Sequence, residues 1–265
     1  MNQKITITPP IPDVEGVDHR ISLKIAQMLQ QGRRYFGSAG ASLSHHANNP
    51  DYDSEFKRKL TSSGLEGERS TSKKIREWMR DKPNAVLIDS VHIKGMGTET
   101  IDPESGTVDG GDTDHILLIG SLVILIDSKR WKSRKVYSVS DKGAVLRQVK
   151  KDGRAMSFGG SRVNAKAAKY LWKNYLHRSA KISSIVCVNA EKVFVKKDAN
   201  WKKQSFKLLT LEDLLGHLDY IYKKLDEKDR TTINSTLVSQ IAVCCIKPFD
   251  PYSRLGDKER LKNFK

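Results

Sequence analysis

The chain has little cysteine, no long apolar run and, over one long segment, almost no acid. Its only cysteines are Cys187, Cys244 and Cys245. An odd count with two adjacent members argues against a disulfide framework and points to a reducing, cytoplasmic setting. It also excludes a cysteine zinc site of ordinary spacing. No stretch is long and apolar enough for a transmembrane helix, so no membrane role is expected. The first ten residues, Met1 to Pro10, lack the apolar core of a secretion signal. There is no internal repeat, no low-complexity tract, and no helix–turn–helix or zinc module to read a base sequence.

The acid deficit is local. The 265-residue chain carries a net charge of +16. Residues 1–128 hold 15 Lys/Arg against 18 Asp/Glu, and residues 208–265 hold 10 against 9. Residues 129–207 hold 22 against 4, a net of +18. The whole excess sits in one segment that begins at Lys129, as a polyphosphate partner would require. The plainer reading of such a block is a solvated surface or a site for acidic partners.

The most informative stretch lies just before it, from Asp114 to Lys129. Two apolar strands flank Gly120-Ser121, and a glycine-first two-residue loop is a hairpin signal. Counting outward pairs Ile119 with Leu122 and Leu118 with Val123, until Asp114 faces Asp127. Lys129, two residues on, shares the Asp127 face. Directly opposed residues have Cβ atoms roughly 5 Å apart, where like charges destabilise. Two carboxylates so placed beside an ammonium group suit a shared divalent cation, Mg²⁺ or Mn²⁺. The cation would acidify a water and screen a phosphate, and Lys129 would orient or deprotonate that water and stabilise developing charge. The plainer reading is a capping aspartate and a surface ion pair at strand ends. That reading leaves an Asp facing an Asp inside an apolar hairpin, which is costly without a partner. Glu68 is the natural third carboxylate, to complete the metal shell of Asp114 and Asp127 or relay to it as a catalytic group. The Gly64-Leu-Glu-Gly67-Glu68 run predicts a helix start there, where the dipole favours an anion, and Gly67 permits close backbone approach.

The remaining pattern predicts an extended arm over 1–17, a helix over 18–32, a loop from Gly37 to Asp53 and a short basic helix over 55–63. A helix then runs from the Gly64–Glu68 stretch to about Arg80, and Ala85–Val91 is a strand. Lys94 to Asp112 is a long Gly/Asp-rich excursion. Both hairpin strands are apolar on each face, so the sheet should be covered on both sides. Val136–Val139 and Ala144–Val149 read as a second hairpin, Asn164–Leu176 as a helix and Ile182–Val188 as a buried strand. Lys192–Val195 and Phe206–Leu209 read as edge strands. Thr210 should cap a helix to about Leu225, with Asp213 in the place a capping box gives to Glu. Thr232–Ile246 reads as a final helix before a basic tail. The division that follows is 1–60, an arm with a helical extension; 61–225, the core; and 226–265, a C-terminal helix and tail.

Other candidates carry less. His45, His46 and His115 have no ligand spacing, and His115 should point away from the Asp114 face. Asp109 to Asp114 lacks the acidic twelfth position of a calcium loop. Trp131, set among Arg130, Lys132, Arg134 and Lys135, suits base stacking or a sheet edge equally.

Gly64-Leu-Glu-Gly67-Glu68 with its helix, Gly111-Asp-Thr-Asp114-His115, the double apolar strand and Ile126-Asp127-Ser-Lys129-Arg-Trp131 together resemble the nuclease-related domain (NERD) family of the PD-(D/E)xK nuclease superfamily. The resemblance spans roughly residues 60–220 and rests on the order and spacing of short motifs. It implies an α/β, restriction-endonuclease-like fold: a mixed central sheet flanked by helices, here with an N-terminal helical extension and a C-terminal helix. It implies metal ligands at Asp114 and Asp127, a catalytic lysine at Lys129 and a helical carboxylate at Glu68. The chain departs from the pattern at Asp127, where the family usually has Glu, and after Asn164, where Ala165 follows and no Gln appears; Lys166 or Lys169 could take that face.

The expectation is a divalent-metal-dependent DNA endonuclease. Arg130, Trp131, Lys132, Arg134, Lys135, Lys150, Lys151, Arg162, Lys166 and Lys169 would track the nucleic acid, positioning rather than specifying. The alternatives are a nucleic-acid-binding protein that keeps the fold without cleavage, and an RNA-directed nuclease. A homodimer would suit double-strand cutting.

Overall fold

The computed structural model describes residues 5–12, 14, 17–41, 55–92, 112–130, 136–139, 146–149, 151, 152, 154–156, 165–190, 194, 195, 202 and 206–245. In chain order the elements are β1 (Thr6–Ile7), α1 (His19–Gln30), β2 (Tyr35–Gly37), α2 (Glu55–Trp78) with a 3-10 turn at Met79–Asp81, β3 (Ala85–His92), β4 (Asp112–Ile119), β5 (Leu122–Lys129), β6 (Val136–Val139), β7 (Leu146–Val149), β8 (Ala155–Met156), α3 (Ala165–Tyr175), β9 (Lys181–Val188), β10 (Phe194–Val195), β11 (Lys207–Thr210), α4 (Leu211–Lys224), α5 (Glu227–Thr231), β12 (Thr232–Ile233) and α6 (Ser235–Ala242).

They build a mixed α/β architecture. A six-stranded sheet of order β11-β9-β5-β4-β3-β2 lies at its centre. Strands β3, β4 and β5 run antiparallel to their neighbours in the meander. The flanking pairs β5–β9, β9–β11 and β2–β3 are parallel. A second sheet orders β10-β6-β7-β8, and β1 pairs with β12. Among the described residues no helix is long and apolar enough to cross a membrane.

The period-two alternation of the strands sorts their side chains onto two buried faces. Leu87, Leu117, Ile119, Ile124, Ile126 and Ile185 pack under Ile75 and Trp78 of α2 and Leu214 and Leu218 of α4. Val86, Ile88, Ile116, Leu118, Val123 and Leu125 pack under Ile21, Ile25 and Leu29 of α1, Trp172 and Leu176 of α3, and Leu237 and Ile241 of α6. Coverage of both faces explains why these strands read as continuous apolar runs.

The hairpin turn falls at Gly120-Ser121, and the ladder runs Ile119↔Leu122, Leu118↔Val123, Leu117↔Ile124, Ile116↔Leu125 and His115↔Ile126. Gly120 has φ of 59°, which glycine alone adopts freely. Thr210 caps α4, its hydroxyl accepting the Asp213 N–H at 3.1 Å.

Four expectations are corrected. The residues from Glu55 to Trp78 form one continuous helix, so Gly64-Leu-Glu-Gly67-Glu68 lies inside it and Glu68 is far from the positive end of the dipole. The two glycines weaken the helix by roughly 1 kcal/mol each relative to alanine, but Gly67 closely meets the chain just past β5. A Cβ there would stand 3.3 Å from Arg130 Cβ. Tyr35–Gly37, read in part as loop, is an edge strand parallel to β3. Thr232–Ile233 is a strand paired with β1, and the last helix starts only at Ser235, capped by Asn234. The short helix α5 at Glu227–Thr231 was missed because its five polar residues bear no apolar period.

Candidate active site

The β4–β5 ladder ends at His115↔Ile126, one pair short of Asp114 and Asp127. The Ser128 N–H then donates not to a backbone carbonyl of β4 but to Asp114 Oδ2, at 2.7 Å. The side of β4 that faces β3 is disturbed at the same level. Ser90 lies opposite Asp114, between the pairs Asp89↔His115 and Val91↔Thr113, and has φ of 51°. A left-handed serine costs roughly 1–2 kcal/mol. Its hydroxyl donates to Ser38 O at 2.8 Å and accepts the Ala41 N–H at 3.1 Å. The residue turns β3, so that Val91 joins the face already held by Val86 and Ile88. Thr113 likewise meets Trp172, whose indole N–H donates to Thr113 Oγ1 at 2.9 Å. An opening between β4 and β5 thus lies level with a skipped pair between β3 and β4.

Three predicted residues meet in that opening. The Lys129 ammonium lies 2.5 Å from Asp127 Oδ1, and Asp114, held by the Ser128 N–H, is close enough for its charge to act on both. Burial pushes the Asp127 carboxyl up to about 6; Lys129 pulls against this, and the Asp114 carboxylate adds to it. Burial opposes the Lys129 charge, but Asp127 and Asp114 outweigh it and hold the amine above the usual lysine range. The Asp127 side chain keeps 29% exposure and that of Lys129 21%, so both remain reachable from solvent.

Glu68 arrives from α2, buried, with Oε2 accepting the Gly40 N–H at 2.9 Å. Burial, then repulsion by Asp114, lifts it to about 8, while His115, Gly40 and Lys129 pull the other way. The close seat of Gly67 against Arg130, just past β5, brings it there. Asn189 reinforces that seat, donating to Gly67 O and to Thr71 Oγ1, both at 3.2 Å. An open cleft of about 340 Å³ lies alongside, lined by Glu66, Gly67, Ser70, Arg130, Asn189 and Leu211 among others.

Behind the carboxylates runs a buried chain that sequence reasoning missed. His115 Nδ1 lies 2.7 Å from Asp89 Oδ1, and His115 Nε2 lies 2.9 Å from Ser128 Oγ. Asp89 Oδ2 also accepts the hydroxyls of Tyr35 at 2.9 Å and Ser72 at 2.5 Å. Burial, then the Asp89 charge, lifts the Tyr35 phenol to about 12. His115 is raised above its ordinary value; burial opposes this and Asp89 prevails. The order Asp–His–Ser matches a nucleophilic triad, but Ser128 is only 8% exposed and His115 and Asp89 are fully buried, so the hydroxyl is not presented to a substrate. An Asp three residues from the end of an apolar strand was the available signal.

Of the proposed nucleic-acid contacts, Arg130 is exposed and paired with Glu66, Lys151 is exposed and Lys169 is half-buried. Lys166 lies in α3, with no side-chain position described. Trp131, Lys132, Arg134, Lys135, Lys150 and Arg162 lie outside the described residues, as do His45, His46 and the Lys94–Gly111 excursion.

The donor set is hard oxygen. Among the described residues no group of three or more His, Cys, Asp or Glu is gathered for a metal ion. What is present is a pair, Asp114 and Asp127, with Glu68 engaged by Gly40 beside it. That fits Mg²⁺ or Mn²⁺, since Mg²⁺ is commonly held by one or two carboxylates with water completing the shell. It does not fit a closed zinc cage. No protein-family model, no curated protein and no solved structure matches the chain.

Proposed function

We propose that this chain is a divalent-metal-dependent nuclease that hydrolyses DNA phosphodiester bonds, built on a restriction-endonuclease-like core of the NERD type. One observation carries the reading: where the β4–β5 ladder stops, the Lys129 ammonium lies 2.5 Å from Asp127 and the neighbouring N–H of Ser128 holds the Asp114 carboxylate at 2.7 Å. The mixed sheet covered by helices is compatible with such a core, and the basic segment that starts at Lys129 suits a polyanion.

Asp114 and Asp127 would hold Mg²⁺ or Mn²⁺, with Glu68 close enough to join or to hydrogen-bond a coordinated water. When bound, the cation lowers the pKa of a water and screens phosphate charge. Lys129 is an ammonium at neutral pH, so it acts as a donor and not as a base. Anchored on Asp127, it orients the attacking water or neutralises charge on a non-bridging phosphate oxygen. Burial and then Asp114 favour the protonated Glu68 carboxyl, and a bound cation would favour its carboxylate form. Ser128 holds Asp114 through its N–H, leaving the other carboxylate oxygen for the ion.

The test is plasmid nicking titrated with Mg²⁺, with Lys129→Ala and Asp114→Asn beside the unaltered chain. Nicking that requires the cation and is lost in both variants supports the reading. Nicking that survives both removes the site. DNA binding without cleavage in the unaltered chain favours a binding protein, and preferential cleavage of RNA moves the substrate.

A further inference from the structure

The Asp89–His115–Ser128 chain spans the sheet beneath the carboxylates and is not explained by cleavage chemistry. It is well made for holding something still. Asp89 only accepts, so His115 Nδ1 carries a proton toward it, and Nε2 is left for the Ser128 hydroxyl. In either protonation state both ring nitrogens are used. Ser128 is therefore gripped twice from β4: its hydroxyl by His115 and its N–H by Asp114 Oδ2. These contacts close the gap between β4 and β5 just where the backbone ladder has stopped.

At the far end the chain is anchored to two more elements. Asp89 Oδ2 accepts from Tyr35 of β2 and Ser72 of α2. Ser72 stands four residues after Glu68, on the same face of α2. The helix that carries Glu68 and the strand that carries Asp114 are thus tied to one buried carboxylate.

We propose that Asp89, His115 and Ser128 form a positioning chain that fixes the Asp114 carboxylate, relative to Asp127 and Glu68, for divalent-cation binding. The proposal rests on the reading of Asp114 and Asp127 as cation ligands. The chain touches neither cation nor substrate; it sets the ligand's position through Ser128, as outer partners of metal ligands do. Removing the Ser128 hydroxyl leaves the Asp114 hydrogen bond in name but frees the β5 backbone that donates it.

The experiment measures Mn²⁺ affinity of the full chain by calorimetry or electron paramagnetic resonance, with no nucleic acid present. The variants are Ser128→Ala, Ser128→Thr, His115→Gln and Asp114→Asn, each checked for an unchanged circular-dichroism spectrum well below its melting temperature. The expected result is a 10- to 100-fold loss of affinity in Ser128→Ala, recovery in Ser128→Thr, which restores the hydroxyl, and a loss in His115→Gln where it folds. A purely structural role would lower the melting temperature and leave the affinity of the folded protein alone. Unaltered affinity in Ser128→Ala, with binding abolished in Asp114→Asn, overturns the positioning chain while the metal site stands. Unaltered affinity in Asp114→Asn overturns the metal site itself, and the positioning chain with it.

Discussion

The two ends of the β4–β5 hairpin both bury carboxylates, and they treat them in opposite ways. At the turn, Asp229 is surrounded by donors. Its Oδ1 accepts the Ser121 N–H at 2.8 Å, and its Oδ2 accepts the Ser121 hydroxyl at 3.2 Å and the Lys181 ammonium at 3.4 Å. Its backbone carbonyl takes Asn84 Nδ2 at 3.0 Å. At the open end, Asp127 pairs with Lys129 while Asp114 and Glu68 lie near enough to act on them, and burial together with repulsion by Asp114 raises Asp127 and Glu68 well above the usual carboxylate range. A carboxylate matched to donors closes a fold, here by pinning the C-terminal segment to the turn. Carboxylates that face each other are a standing cost, which an arriving cation would relieve.

The contrast can be broken most sharply at the open end. On the proposed function, Lys129→Ala should lower the cleavage rate about 10³-fold, roughly 4 kcal/mol in the barrier, and lower the urea midpoint as well, since Asp127 and Asp114 lose the cation between them; an unchanged cleavage rate would remove Lys129 from the site. At the turn, Gly120→Ala combines positive φ with a Cβ 2.4 Å from Asp229 Oδ1, and should cost about 3 kcal/mol in urea unfolding. Asp229→Ala strands the Ser121 N–H and should cost about 2 kcal/mol. Both should leave the Mn²⁺ affinity of the folded protein as it was, and a loss of affinity would mean the two ends are not independent.

Glu68 sharpens the comparison through pH. Its folded value of about 8 exceeds the ordinary 4.5, so the folded chain keeps a proton that the unfolded chain releases. Without cation, this contribution to stability is full below pH 4.5, falls as pH rises, and is gone above about 8. Asp127 adds to the fall between 3.8 and about 6. Glu68→Gln should flatten the decline by about 1 kcal/mol or more across that window; a slope unchanged by the substitution would refute the assigned burial effect. The smallest effect belongs to Arg130→Ala. Loss of its exposed pair with Glu66 should change stability by less than about 0.5 kcal/mol, while the proposed DNA binding should weaken and its salt dependence drop by about one phosphate contact.

Much of the frame was readable along the chain. The glycine-serine turn sets the register from Ile119↔Leu122 to His115↔Ile126 because side chains alternate strictly from a two-residue loop. The apolar runs announced two covered faces, and the Thr210 cap followed from local hydrogen-bond chemistry. Three of the four misses share one cause. The unbroken course of α2 through Gly64 and Gly67, the joining of Tyr35–Gly37 to the sheet and the strand at Thr232–Ile233 all depend on partners distant in sequence, and local propensity yields to such packing.

The site divides in the same way. Local order along the chain determined that Asp114, Asp127 and Lys129 would sit near the open end of one hairpin, because a short turn and a period of two leave no other arrangement. Only the tertiary structure decided how they meet. The ladder stops early, Ser90 takes a left-handed turn, and Asp114 reaches over to Ser128. Asp89, His115, Ser72 and Tyr35 join beneath them from three strands and a helix. Hydrogen bonds between buried side chains leave no periodic trace in a sequence, since each is fixed by the approach of elements whose contact the chain order does not contain.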